Sequence, residues 1–181
     1  LVDANTGAID LLGTLKTTNA TVSAVTVRDA STVALGNINA TAGQVVLGVA
    51  GDITDAVTQN TGTAILADAL TGSTAGSVTL GLLNDINNLN GFTTTGGTSN
   101  FLLNDIDGLT VTAAMNIGGT TTLTAGGALA VNADITSGSN VSLTGTGVTQ
   151  NAGSTVDATA GTILVDANTG AIDLLGTLKT T

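Results

Sequence analysis

The chain has 181 residues, a net charge of −10 and only 9 % charged residues, with no Pro, Cys, His, Trp, Tyr or Glu. All thirteen acids are Asp, set against Lys16, Arg28 and Lys179, a balance that disfavours nucleic acid and anionic lipid as partners, since both select Lys and Arg. Apolar residues are interrupted too often for the run of about 18 that a spanning helix needs, and positive mean hydropathy argues against disorder.

The chain opens on LVDANTGAIDLLGTLKTT, Leu1 to Thr18, and closes on the same letters, Leu164 to Thr181. Residues 1–163 therefore read as one full repeat and 164–181 as the start of the next, continuous with it. A shorter beat runs inside this period. Val25 leads to Val45 and then Ile65 in steps of 20. LLNDINNLNG (Leu82 to Gly91) and LLNDIDGLTV (Leu102 to Val111) align at the same offset. That alignment predicts Leu83 over Leu103, Asn84 over Asn104, Ile86 over Ile106 and Leu89 over Leu109. It extends from Leu103 to Leu123 and Leu143, from Leu109 to Leu129, and from Val111 to Val131. A slightly longer step then joins Val141 to Ile163. Turns are read as beginning near Val22, Val45, Ile65, Val78, Phe101, Thr121, Val141 and Ile163, eight to a period.

Each turn holds short alternating segments such as Leu129-Ala-Val131 and Val141-Ser-Leu143, the period of a strand. Between them lie turn residues: Gly118-Gly119, Gly126-Gly127, Asn168-Thr-Gly170. Only Asp68-Ala-Leu70 and Ala113-Ala-Met115 hint at a brief coil. Short strands repeating every twenty residues predict an all-β fold, a right-handed parallel β-helix of about 20 residues per rung and about 8 rungs per repeat. Stacked Val, Leu, Ile and Ala suit a narrow interior with little space for rings. A β-sandwich also has many short strands, but does not require equal offsets that set like over like.

Candidates for chemistry are few. Without His, Cys, Glu or Tyr, acid–base work would fall to Asp, Lys or hydroxyls, and usual zinc ligands are missing. Catalytic, cofactor-binding and metal residues are therefore all expected to be none, and the protein no enzyme. Arg28, the single Arg, is expected to pair with Asp29. Asp85 and Asp105, stacked at the 20-residue offset near Asn87 and Asp107, raise a calcium question, against the plainer reading of two solvated carboxylates beside an Asn84–Asn104 amide ladder. The glycine-rich calcium nonapeptide is absent. A Thr array of the ice-binding kind fails, because Ala113-Ala-Met115 follows Thr93 to Thr95 at the 20-residue step.

Two stretches, Gly51 to Phe92 and Asn100 to Ile135, resemble the repeats of filamentous-haemagglutinin-like giant adhesins in their G-x-V-x-L strands, G-G-x-L turns and N-D-I-x-x-L steps. The resemblance implies a β-helical shaft on a large polypeptide exported across the outer membrane of Gram-negative bacteria by a partner pore. It implies a secreted or cell-surface filament serving attachment and biofilm cohesion, and it transfers no binding residue. The expected partners are neighbouring repeats end to end, with lateral fibre contacts or matrix polysaccharide as further candidates. No nucleic acid and no membrane insertion are expected. Two other roles compete: a polysaccharide- or matrix-binding face, which lacks the usual aromatic platforms, and a β-helical polysaccharide lyase.

Overall fold

A computed structural model describes residues 1–181. All of its regular structure is strand, and every pairing is parallel between turns that follow one another. The chain is a β-solenoid of about eight turns, spaced about 22 residues apart. One inward column shows its construction. Ile9, Val33, Val57, Val78, Phe101, Thr121, Val141 and Ile163 stack on one face, and all but Ile163 are buried. The residues beside them form an outward ladder: Asp10, Ala34, Thr58, Thr79, Leu102, Thr122, Ser142 and Leu164. Alternation puts one set inward and the other out, because successive side chains of a strand leave opposite faces.

The steps of that ladder are uneven. They are longest from Ile9 to Val33 and from Val33 to Val57, and shortest from Phe101 to Thr121 and from Thr121 to Val141. The twenty-residue beat holds over that last stretch and is exceeded elsewhere. The columns Leu103–Leu123–Leu143, Leu109–Leu129 and Val111–Val131 form as expected. Val25 pairs with Val45, but Val45 pairs with Leu70, and Ile65 belongs to another face, over Ile38. Val22 is exposed and begins no strand.

The LLND alignment fails in register. Leu103 lies beside Leu80, not Leu83, and Leu83 is 71 % exposed. Asn84 pairs with Asp105, Leu89 with Val111, and Ile106 is exposed. The cause is local. Three residues, Gly81 to Leu83, separate the paired positions Leu80 and Asn84, whereas Asn104 alone separates Leu103 and Asp105. The first Leu-Leu is thus taken up by a bulge and the second by the ladder, a shift of the kind that extra residues in one strand produce.

Rings do fit inside. Phe92 and Phe101 are both 1 % exposed, with ring centroids 4.7 Å apart and planes tilted by 45°. Gly72 pairs with Phe92 one turn back, and a Cβ there would meet Phe92 Cε2 at 2.7 Å and collide with the Leu47 carbonyl oxygen. The missing side chain is what makes space for the ring. Gly72→Ala should therefore cost about 1–3 kcal/mol, as overpacking of a filled core does, measured by denaturant unfolding; an unchanged midpoint would contradict this account. Asp68-Ala-Leu70 and Ala113-Ala-Met115 are strand.

The cross-section changes along the axis. Over the first four turns three faces recur: one at Ile9–Asp10, Val33–Leu35, Val57–Gln59 and 78–80; a second at Thr14–Lys16, 37–40, 65–67 and 84–86; a third at Val2–Asp3, Val25–Arg28, 44–47 and 69–74. From Phe101 on, a single strand pairs with the first face and with the start of the second. The third face meanwhile divides. Its two columns are two positions apart at Val25 and Val27, three at Leu89 and Phe92, and four at Val111 and Met115. By the next turn they are separate strands, Ala128–Val131 and Ile135–Ser137. One corner closes near 81–83 while another opens near 90–91, where Gly91 takes a φ of 75° that suits glycine best.

Candidate functional site: buried polar groups at the closing corner

The corner that closes is held by side chains. Asn84 is fully buried. Its amide nitrogen donates to the Leu82 carbonyl at 2.9 Å and the Asn104 carbonyl at 3.0 Å. Its amide oxygen accepts from Ile65 N at 2.9 Å and from Gln59 Nε2 at 2.8 Å. Asn104 Nδ2 in turn donates to the Gly81 carbonyl at 2.8 Å. A bulge strips backbone groups of their ladder partners, and buried ones need replacements. Asn84 and Asn104 supply them across three turns, so they act as a staple and not as a stacked amide ladder.

Asp105 sits one turn above Asn84 and is 3 % exposed. Its Oδ1 accepts from Ile86 N at 2.8 Å and its Oδ2 from Asp107 N at 3.3 Å. Burial pushes its pKa up to about 7. The Ile86 amide opposes that rise, and the exposed Asp107 carboxylate beside it adds to it. Asp85 is not its stacking partner: Asp85 pairs with Leu66 on the face that ends here. The calcium question rests on a register that the bulge removes, and no group of three or more acids is gathered as a metal site would need. Sequence alone hides Asp105, because an Asp inside N-D-I-D-G reads as a solvated turn residue.

Around the bulge the surface is open. A shallow hollow of about 340 Å³ lies between Gly62–Ala64 and Leu82–Leu83. A second borders Gln59, Thr79 and Gly81. A third runs along Gly118, Gly119 and Ser139. None is lined by a charged residue.

The few cations sit elsewhere and tie turns together. Arg28 Nε lies 3.5 Å from Asp3 and 3.9 Å from Asp52. Its partners come from the turns on either side, not from the adjacent Asp29, which follows the end of the strand in a bend with a φ of 55°. Lys179 Nζ donates to Asp157 Oδ2 at 2.7 Å, again one turn back.

The two copies of the opening segment are seated differently. The first copy pairs through Val2–Asp3, Ile9–Asp10 and Thr14–Lys16 with the turn that follows it. The second pairs through Leu164–Ala167, Ile172–Leu174 and Thr177–Thr180 with the turn that precedes it. Both edges of one eighteen-residue sequence are therefore seen in use. Comparison with protein-family models, with curated proteins and with solved structures returned no match.

Proposed function

We propose that the chain is a segment of a rigid shaft in a large secreted or cell-surface bacterial adhesin or filament. Its role on this reading is structural, not catalytic: it spaces a tip from the cell or forms the fibre itself, in attachment and biofilm cohesion. The observation that carries it is the double use of the repeated segment. A sequence that docks onto the turn above in one copy and onto the turn below in the other is built to have neighbours on both sides. Stacking then continues without a seam, each turn covering the edge of the last. Lys179 shows one detail of the joint, since it grips the preceding repeat's Asp157, and Lys16 holds the same place in the first copy. The adhesin part of the reading, with export from a Gram-negative cell and a right-handed coil, rests on the likeness of Gly51–Phe92 and Asn100–Ile135 to filamentous-haemagglutinin-like repeats.

Two measurements test it. Chains carrying one, two and three tandem copies of the 1–163 unit should lengthen in solution scattering by about 35 Å per unit, from the interstrand spacing. Growth in all dimensions would overturn the shaft. Antibody to the folded chain should label fibres outside the intact source cell; label confined to the interior would overturn the surface role.

A further inference from the structure

We infer that the repeat unit, 1–163, spans seven turns and a fraction of an eighth, so that each unit is rotated about the axis relative to the one before. If the period were a whole number of turns, the outward ladder beginning at Asp10 would return to Asp173, its equivalent in the next unit. It does not. From Asp10 it runs through Ala34, Thr58, Thr79, Leu102, Thr122 and Ser142 and arrives, seven turns later, at Leu164. Asp173 lies one face further along the chain, over Thr149. A second ladder agrees. Val2 leads through Val27, Leu47, Gly72, Phe92, Met115 and Ile135 to Val156 in seven turns. Its equivalent, Val165, is on the next face, over Leu143.

The changing cross-section makes this possible. Residues 1–18 start one unit on one set of faces and residues 164–181 start the next on another, so the corners move between them. Closing the corner at Gly81–Leu83 and opening one at Asn90–Gly91 is such a movement. The staple of Gln59, Asn84 and Asn104 is thus the device that steps the pattern around the axis. In consecutive units a given surface feature, such as the exposed Leu83 bulge, points in different directions. A lateral partner on one side of the shaft therefore does not meet the same patch at every unit.

The ladder can be read in the chain itself, whose lack of cysteine gives a clean background. Cysteine pairs at successive ladder positions, from Asp10→Cys with Ala34→Cys up to Ser142→Cys with Leu164→Cys, should each cross-link, since neighbouring parallel strands lie within disulfide reach. Thr149→Cys with Asp173→Cys should do so too, at least about tenfold more than Ser142→Cys with Asp173→Cys. Efficient cross-linking of that last pair, or a break in the ladder, overturns the fractional turn. The inference extends the shaft reading to joined units, and a tandem of three tests that step by electron microscopy. An exact axial repeat longer than one unit supports it, and one of about 35 Å overturns it while leaving the shaft intact.

Discussion

Phe92→Ala should remove about 3–5 kcal/mol of stability, the largest loss expected from a single apolar truncation here. Phe92 is fully buried and packs on Phe101 at 4.7 Å, an aromatic pair that adds about 1 kcal/mol beyond its area. The turn on one side offers Gly72, which has no side chain to fill the space; only Met115 on the other side is flexible enough to lean in. The position also lies where the cross-section changes. Each turn touches only its neighbours, so damage there should uncouple the two halves of the stack. Denaturant unfolding should then show two transitions in place of one. A loss under about 1 kcal/mol would mean that the core around the rings is loose.

Asp105→Asn should stabilise the chain at pH 8 and leave it nearly unchanged at pH 3. The folded-state pKa of Asp105 is raised from 3.8 to about 7, chiefly by burial. Between those values the folded chain holds a proton that the unfolded chain has released, so stability falls as pH rises from about 4 to about 7 and then levels. Asparagine keeps an oxygen for the Ile86 amide and turns an N–H towards the Asp107 carboxylate, giving up only the long 3.3 Å bond from Asp107 N. The variant should therefore lose this pH dependence while retaining the general weakening that repulsion among the other acids causes. The difference between wild type and variant across pH isolates Asp105. If the variant is no more stable than wild type at pH 8, the carboxylate is better solvated than its burial indicates.

Much of the architecture is legible in the sequence because stacking sets like over like. Where the step is constant, from Phe101 to Val141, sequence offsets and strand register coincide, and the Leu103–Leu123–Leu143 column is readable by counting. Where longer steps intervene, as from Val33 to Val57 and from Val78 to Phe101, counting misleads. The clearest likeness between neighbouring turns, LLND with LLND, is out of register by the length of a bulge. A better signal lies in the pattern that ignores spacing: Val33-x-Leu35, Val78-x-Leu80, Phe101-x-Leu103, Thr121-x-Leu123 and Val141-x-Leu143 all occupy one face. The buried Asn84 and Asp105 are illegible for a related reason. Their burial follows from a corner closing, which depends on bonds to Gln59, Ile65 and Ile86 on the neighbouring turns that no local pattern announces.

The direction of the backbone bonds has a mechanical consequence. They run from turn to turn, along the axis, as between Ser142–Thr144 and Leu164–Asp166. A pull on the two ends loads them one ladder at a time, by peeling, instead of all together in shear. Each turn that lets go yields about 75 Å of chain at full extension in place of about 4.8 Å of height. Tension on the two ends should therefore unwind the stack turn by turn, releasing slack while the remaining turns stay folded.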